Sequence, residues 1–307
     1  MFSRLLVFSV RAVRNGLRNS SMRPVIASIF LVVLFCSVAF AESSVWKVQK
    51  GTSVVYLGGT CHLLRESDFP LPPEFQRAYD ASRVVVFETD IVRLQDPSTQ
   101  LKLLSRATYA DGSGVEKHLS SRAYAELSAY CQANGIPLDA LGQIKPSLLM
   151  VTLTVMELAR TGVGQQGVDL FFHDAAVRDG KTVDGLEDVD QQIDYVVSMA
   201  DGNEDEFVIH SLRELKFLSD RFASFVDAWR RGDTGKLERL MVAELRTEQP
   251  VLYRKMIVER NRNWLPRIDA YLKSPETEFI LVGAGHLVGP DGLIEALRKK
   301  GCRVEKL

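Results

Sequence analysis

Apolar positions along this chain fall into short runs near its two ends and into long stretches of helical spacing between them. Val45 to Leu57 alternates as Val-Trp-Lys-Val-Gln-Lys, breaks at Gly51-Thr52 and resumes as Val54-Val55-Tyr56-Leu57, which predicts a β-hairpin. Pro72-Pro73 opens a predicted helix through Ala81. The unbroken run Val84-Val85-Val86-Phe87 then predicts a buried strand ending in Glu88-Thr89-Asp90. Strand, helix, strand in this order suggests a parallel crossover. From Pro97 to about Gly164 the pattern is helical: Ser120 to Ala133 stops at Asn134-Gly135, and Pro146 to Ala159 is strongly apolar. Asp169 to Arg178 predicts another helix, ended by Gly180, and Lys181-Thr182-Val183 leads into a short strand closing at Leu186-Glu187. Gln191 to about Lys273 reads as helix with breaks near Gly202, Gly232-Asp233 and Pro250. A strand Phe279 to Val282, a helix Gly292 to Lys300 and a terminal strand Arg303 to Lys306 complete the chain.

Strands at both ends and near residue 185 must meet in one sheet. The expected fold is therefore α/β: a central mixed β-sheet flanked by helices, with a helical insertion covering the sheet edge (about 97–165 and 190–273). That arrangement places His62, Glu88, Glu187 and His286, all at predicted strand ends, on one edge. In open α/β sheets that edge is where ligands bind.

Two of these residues share a phrase. Tyr56-Leu57-Gly58-Gly59-Thr60-Cys61-His62-Leu63 and Ile280-Leu281-Val282-Gly283-Ala284-Gly285-His286-Leu287 both read as apolar strand, glycine turn, histidine, leucine. Histidine is scarce, five in 307 residues, so two in matching contexts attract notice. The glycines are expected to let the chain turn sharply and aim each imidazole into the crevice. Two imidazoles with one or two carboxylates suit a divalent metal, which activates water and polarises a carbonyl. No HExxH and no Gly-x-Ser-x-Gly is present, and Asp111-Gly112-Ser113-Gly114 reads as a turn. His118, His173 and His210 lie in or near predicted helices, as surface or helix-boundary residues.

The first 41 residues change the setting. Arg4, Arg11, Arg14, Arg18 and Arg23 precede an apolar stretch, Val25 to Phe40, closed by Ala39-Phe40-Ala41. This predicts a secretory signal peptide over 1–41, with Met22 an alternative start and a domain over 42–307. An uncleaved anchor is the other reading, but a run of about 16 falls short of the roughly 20 a spanning helix needs. Removing those five arginines takes the formal net charge from −1 to −6, which argues against nucleic acid. Cys61, Cys131 and Cys302 remain, an odd count that allows one disulfide and one thiol over. Cys61, next to His62, is a candidate nucleophile or soft ligand, or simply a small buried residue.

Gly59-Thr60-Cys61-His62, the Val-Phe-Glu88 strand end, Gly167-Val168-Asp169, Gly185-Leu186-Glu187, Glu259-Arg260-Asn261 and Gly283-Ala284-Gly285-His286-Leu287-Val288-Gly289 together resemble the TraB/GumN family, in that order. That family includes the Tiki proteins, membrane-tethered metal-dependent proteases, and is more distantly similar to erythromycin esterase-like and haem-binding ChaN-like proteins. The resemblance implies metal binding by His62, His286 and Glu88, with manganese or cobalt ahead of zinc. It also places Glu187 and Arg260 at motif positions; Arg260 would steady a substrate carboxylate or an oxyanion. Cys61 departs from the aliphatic residue more usual there. The expected function is an exported metal-dependent hydrolase, a peptidase acting on peptide or protein outside the cytoplasm. The alternatives are a non-catalytic binding protein for a peptide, metal or haem, and a metal-free esterase-like hydrolase.

Overall fold

The computed structural model describes residues 43–164 and 166–307; the expected leader lies outside the described residues. Six strands form one mixed sheet: β1 (Val45–Lys50), β2 (Ser53–Thr60), β3 (Val84–Phe87), β4 (Thr182–Gly185), β5 (Glu278–Gly283) and β6 (Arg303–Lys306), in the order β4-β3-β5-β2-β1-β6. The block β4-β3-β5-β2 is parallel, and β1 and β6 extend it antiparallel. The α/β fold expected from the apolar pattern is the fold found.

The middle strands carry unbroken apolar runs because helices cover both faces. Val85, Val86, Phe87, Leu57 and Phe279 to Val282 are all buried. Each such side chain contributes about 1.5–3 kcal/mol on leaving water. Phe75 and Phe172, from the helices Pro73–Asp80 and Val168–Asp179, pack on Phe279. Trp229, from Leu218–Arg230, donates its indole N–H to the Gly59 carbonyl at 2.6 Å and ties that helix to the first motif.

The helical stretches have their own logic. Ser120 caps Ser121–Ala133 by accepting from the Ala123 N–H, and Gly135 follows it with φ +64°. Leu127, Leu149, Leu153 and Val208 belong to a second apolar core made by the helices Ser121–Ala133, Pro146–Arg160 and Glu204–Leu215.

Several details differ from expectation. A short helix, Ile91–Gln95, follows β3; it buries no residue, so it left no apolar period to read. Two π-helical turns, Arg239–Ala243 and Arg254–Glu259, interrupt the later helical stretch, which also breaks near Lys216 and Phe217. The glycines before each histidine do not make a left-handed turn: Gly58, Gly59 and Gly283 lie within β2 and β5. They act by lacking a side chain; a Cβ on Gly58 would meet Leu281 and Phe279 at 2.7–2.9 Å. Among the described residues no disulfide forms either, since Cys61, Cys131 and Cys302 are free. His173 is buried against Phe87, not at a surface or helix boundary.

Candidate functional site

Parallel strands put their carboxyl ends on one edge, and the register aligns them closely. Thr60 pairs with Gly283 and Phe87 with Gly185. His62 therefore follows β2, Glu88 follows β3, Glu187 follows β4 and His286 follows β5. Hydrogen bonds to β3 continue past the end of β4: Leu186 N–H donates to Phe87 and Glu187 N–H to Glu88, both at 2.9 Å. The two glutamates are thus held side by side.

Arg260 joins them. The π-helical turn Arg254–Glu259 runs directly into Arg260–Tyr271, whose first turn delivers Arg260, Asn261 and Trp264 to the site. The guanidinium donates from Nη2 to Glu88 Oε2 and Glu187 Oε1, both at 2.6 Å, and from Nε to Glu187 Oε2 at 3.2 Å. Nη1 approaches His286 Nε2 at 3.2 Å. Four of its five N–H groups are thereby engaged, leaving one on Nη1. Its plane lies over Trp264, and the Trp264 indole donates to Glu187 at 2.9 Å.

The environment drives the two carboxyls apart. Burial alone would raise Glu88, but Arg260, helped by the protonated His62 and a 2.7 Å bond from the Gly283 N–H, holds it well below the usual carboxylate range. Burial raises Glu187, with Arg260 opposing and the Glu88 charge adding to the rise. Burial also pushes His286 down to about 3, so it is a neutral imidazole.

His62 differs. Its side chain is 64% exposed, and its Nδ1 lies 2.8 Å from Asp169 Oδ2. The Asp169 carboxylate lifts its pKa to about 9, through a pairing that solvent screens. His286 Nδ1 lies 2.8 Å from Asn261 Oδ1. Asp169 and Asn261 were legible as members of the phrases that carry the family resemblance; that each contacts one of the two histidines was not.

The four strand-end side chains and Arg260 thus lie together. A Cβ on Gly283 would stand 3.3 Å from Glu88 Oε1, 3.6 Å from His286 Cδ2 and 3.7 Å from His62 Nε2. The missing side chain leaves room between three groups of the type that bind a divalent metal, and the donor set suits one in kind. In the arrangement shown, however, His286 Nε2 faces Arg260, and no group of three His, Cys, Asp or Glu among the described residues is set to hold an ion.

A cavity of about 200 Å³ opens on His62, Glu88 and Asp169, walled by Phe87, Ile91, Leu94 and Leu170. A larger one, about 810 Å³, lies between residues 234–246 and the C-terminal segment and contains none of these side chains. Cys61 donates its thiol to the Leu63 carbonyl at 2.9 Å, and burial pushes its pKa up to about 12. A thiol held in that state is a poor nucleophile and a poor ligand. Ser113 lies 2.6 Å from Asp111 and 2.7 Å from His118, but it stands between them in a turn and its single proton serves only one.

Comparison with known proteins adds one finding. The model of the TraB/PrgY/gumN family matches residues 44–306. Among curated proteins and among solved structures, nothing matches.

Proposed function

We propose, from a chain that belongs to the TraB/PrgY/gumN family, an exported metal-dependent hydrolase acting on peptides at the space beside Gly283. One observation carries this reading: His62 Nε2, the His286 ring and Glu88 Oε1 border the same point, on the strand ends where α/β sheets bind ligands.

His62, His286 and Glu88 would hold the ion, manganese or cobalt before zinc. When bound, such an ion supplies Lewis acidity and lowers the pKa of its water toward neutrality. The protein's own groups do the rest. Glu88 stays ionised. Glu187, whose proton affinity burial raises, is the better candidate to accept or return a proton. The remaining Nη1 N–H of Arg260 is a donor for developing negative charge. Solvent and substrate approach from the His62 side, because Glu88, Glu187, Arg260 and His286 are buried. The small apolar-walled cavity fits one side chain next to the scissile bond, since whole-ligand pockets run to about 300–1,000 Å³. Export rests on the basic and apolar leader alone.

Calorimetric titration of manganese, cobalt and zinc into chelator-stripped protein tests the reading. Binding abolished by both His62→Ala and His286→Ala, with peptide turnover stopped by chelator, is the expected result. Failure of the intact protein to bind any of the three defeats it. The contact between Arg260 and His286 Nε2 favours a second reading, a metal-free hydrolase in which a histidine is the base. That reading predicts turnover indifferent to chelator.

A further inference from the structure

Two imidazoles from opposite ends of the chain are tied in the same way. Each has Nδ1 at 2.8 Å from a side-chain oxygen, Asp169 Oδ2 for His62 and Asn261 Oδ1 for His286. An ionised carboxylate only accepts, so the bond to Asp169 requires a proton on His62 Nδ1. The amide of Asn261 is oriented by its surroundings. Its Nδ2 reaches the carbonyls of His286 and Asp291 at 3.0 and 2.9 Å, and only an NH2 group satisfies two carbonyls. Oδ1 must then face His286, and His286 Nδ1 must carry the proton. The Arg260 N–H pointing at Nε2 agrees, because it needs a lone pair there.

We infer that Asp169 and Asn261 are positioning residues that hold the neutral rings of His62 and His286 in one tautomer, Nδ1–H, so that His286, and His62 once it gives up its second proton, present their Nε2 lone pairs at the site. Their places in the fold serve this. Gly167 lets the helix Val168–Asp179 start against the His62 backbone, and Asn261 follows Arg260 at the mouth of Arg260–Tyr271. In metal proteins such partners fix ring orientation and raise ligand basicity. What the two lone pairs meet rests on the hydrolase reading above; the tautomers do not.

The test is a long-range 1H–15N spectrum of the histidine rings in chelator-stripped full-length protein, recorded at neutral pH for His286 and above pH 9 for His62. The wild type should show both rings protonated at Nδ1. Asp169→Ala should move His62 toward the Nε2–H form that an unconstrained neutral imidazole favours in water, and Asp169→Asn, which keeps an oxygen acceptor, should restore part of the Nδ1–H signal. Asn261→Leu should expose the His286 Nδ1 proton to fast solvent exchange; should it fail to fold, the Asp169 pair decides alone. Zinc titrated into the same proteins should bind roughly ten- to a hundredfold more weakly to Asp169→Ala than to the wild type. A wild-type ring protonated at Nε2, or a His62 tautomer indifferent to Asp169→Ala, overturns the inference. The expected tautomers with no binding of zinc, manganese or cobalt by the same protein would uphold it and sink the metal reading instead.

Discussion

Gly167 lies so close to His62 that a Cβ on it would stand 2.2 Å from the His62 carbonyl carbon and oxygen. Neither partner can yield cheaply, because both are backbone. The contact is also what sets Asp169 beside the imidazole, as Val168 N–H bonds the Cys61 carbonyl at 3.0 Å and Asp169 follows.

Gly167→Ala should therefore destabilise the fold by about 1–3 kcal/mol, the usual cost of overpacking, and move Asp169 away from His62. Asp169 raises the His62 pKa, so the displaced carboxylate should let it fall from about 9 toward 6.5. An NMR titration of His62 reads this directly. An unchanged midpoint would mean that the close approach does not place Asp169.

Arg260 pairs with two buried carboxylates at once, and it is itself 5% exposed. Arg260→Met should cost about 3–5 kcal/mol, because both glutamates lose their partner in a dry site. Arg260→Lys should rescue little, since one ammonium cannot reproduce a planar fork spanning Glu88, Glu187 and His286. Adding Glu187→Gln to Arg260→Met should recover part of the loss in denaturant unfolding. Strict additivity of the two substitutions would show that the ion pairs are not coupled.

Glu278 provides a pH dependence. It opens β5 at 2% exposure; one oxygen bonds Ser274 and the other, Oε2, has no partner. Burial raises its pKa, so the folded protein binds the proton more tightly than the unfolded chain does. This favours folding at low pH, and the benefit is lost as pH rises from the unfolded pKa through the folded one. At pH 7 Glu278→Gln should be more stable than the wild type by about 1–2 kcal/mol, and the gap should close below pH 4. Equal stabilities at pH 7 would contradict the assignment.

The strands, their order along the chain and the convergence of His62, Glu88, Glu187 and His286 on one edge were legible because apolar runs and strand ends are local signals. Val84 to Phe87 is uniformly apolar since it is buried on both faces, and the charge at Glu88 marks where burial becomes special. The pairing of Asp169 with His62 and of Asn261 with His286 was not legible, because contacts spanning 107 and 25 residues leave no local trace. Ile91–Gln95 escaped for the opposite reason: it fully buries no residue, Ile91 packing on the core only in part, and its clearest signal was the Asp90 cap. The glycines were noticed for the wrong property. Backbone freedom is the usual reason for a glycine before a turn, whereas Gly59 and Gly283 are needed for the volume they leave empty.

Cys61 separates sequence proximity from chemical participation. It adjoins His62, yet its thiol is buried, donates to the Leu63 carbonyl and has its pKa pushed up to about 12. At pH 8 only about one part in ten thousand is then thiolate, the form that reacts. Iodoacetamide labelling of the folded protein, followed on the Cys61 peptide by mass spectrometry, should be slower by orders of magnitude than for a free thiol. It should also rise about tenfold per pH unit between pH 7 and 10, with no plateau near the ordinary thiol value of 9.0. A plateau there would return Cys61 to the list of candidate nucleophiles. Its absence, with wild-type metal binding in Cys61→Ala, would leave the site to the histidines and glutamates.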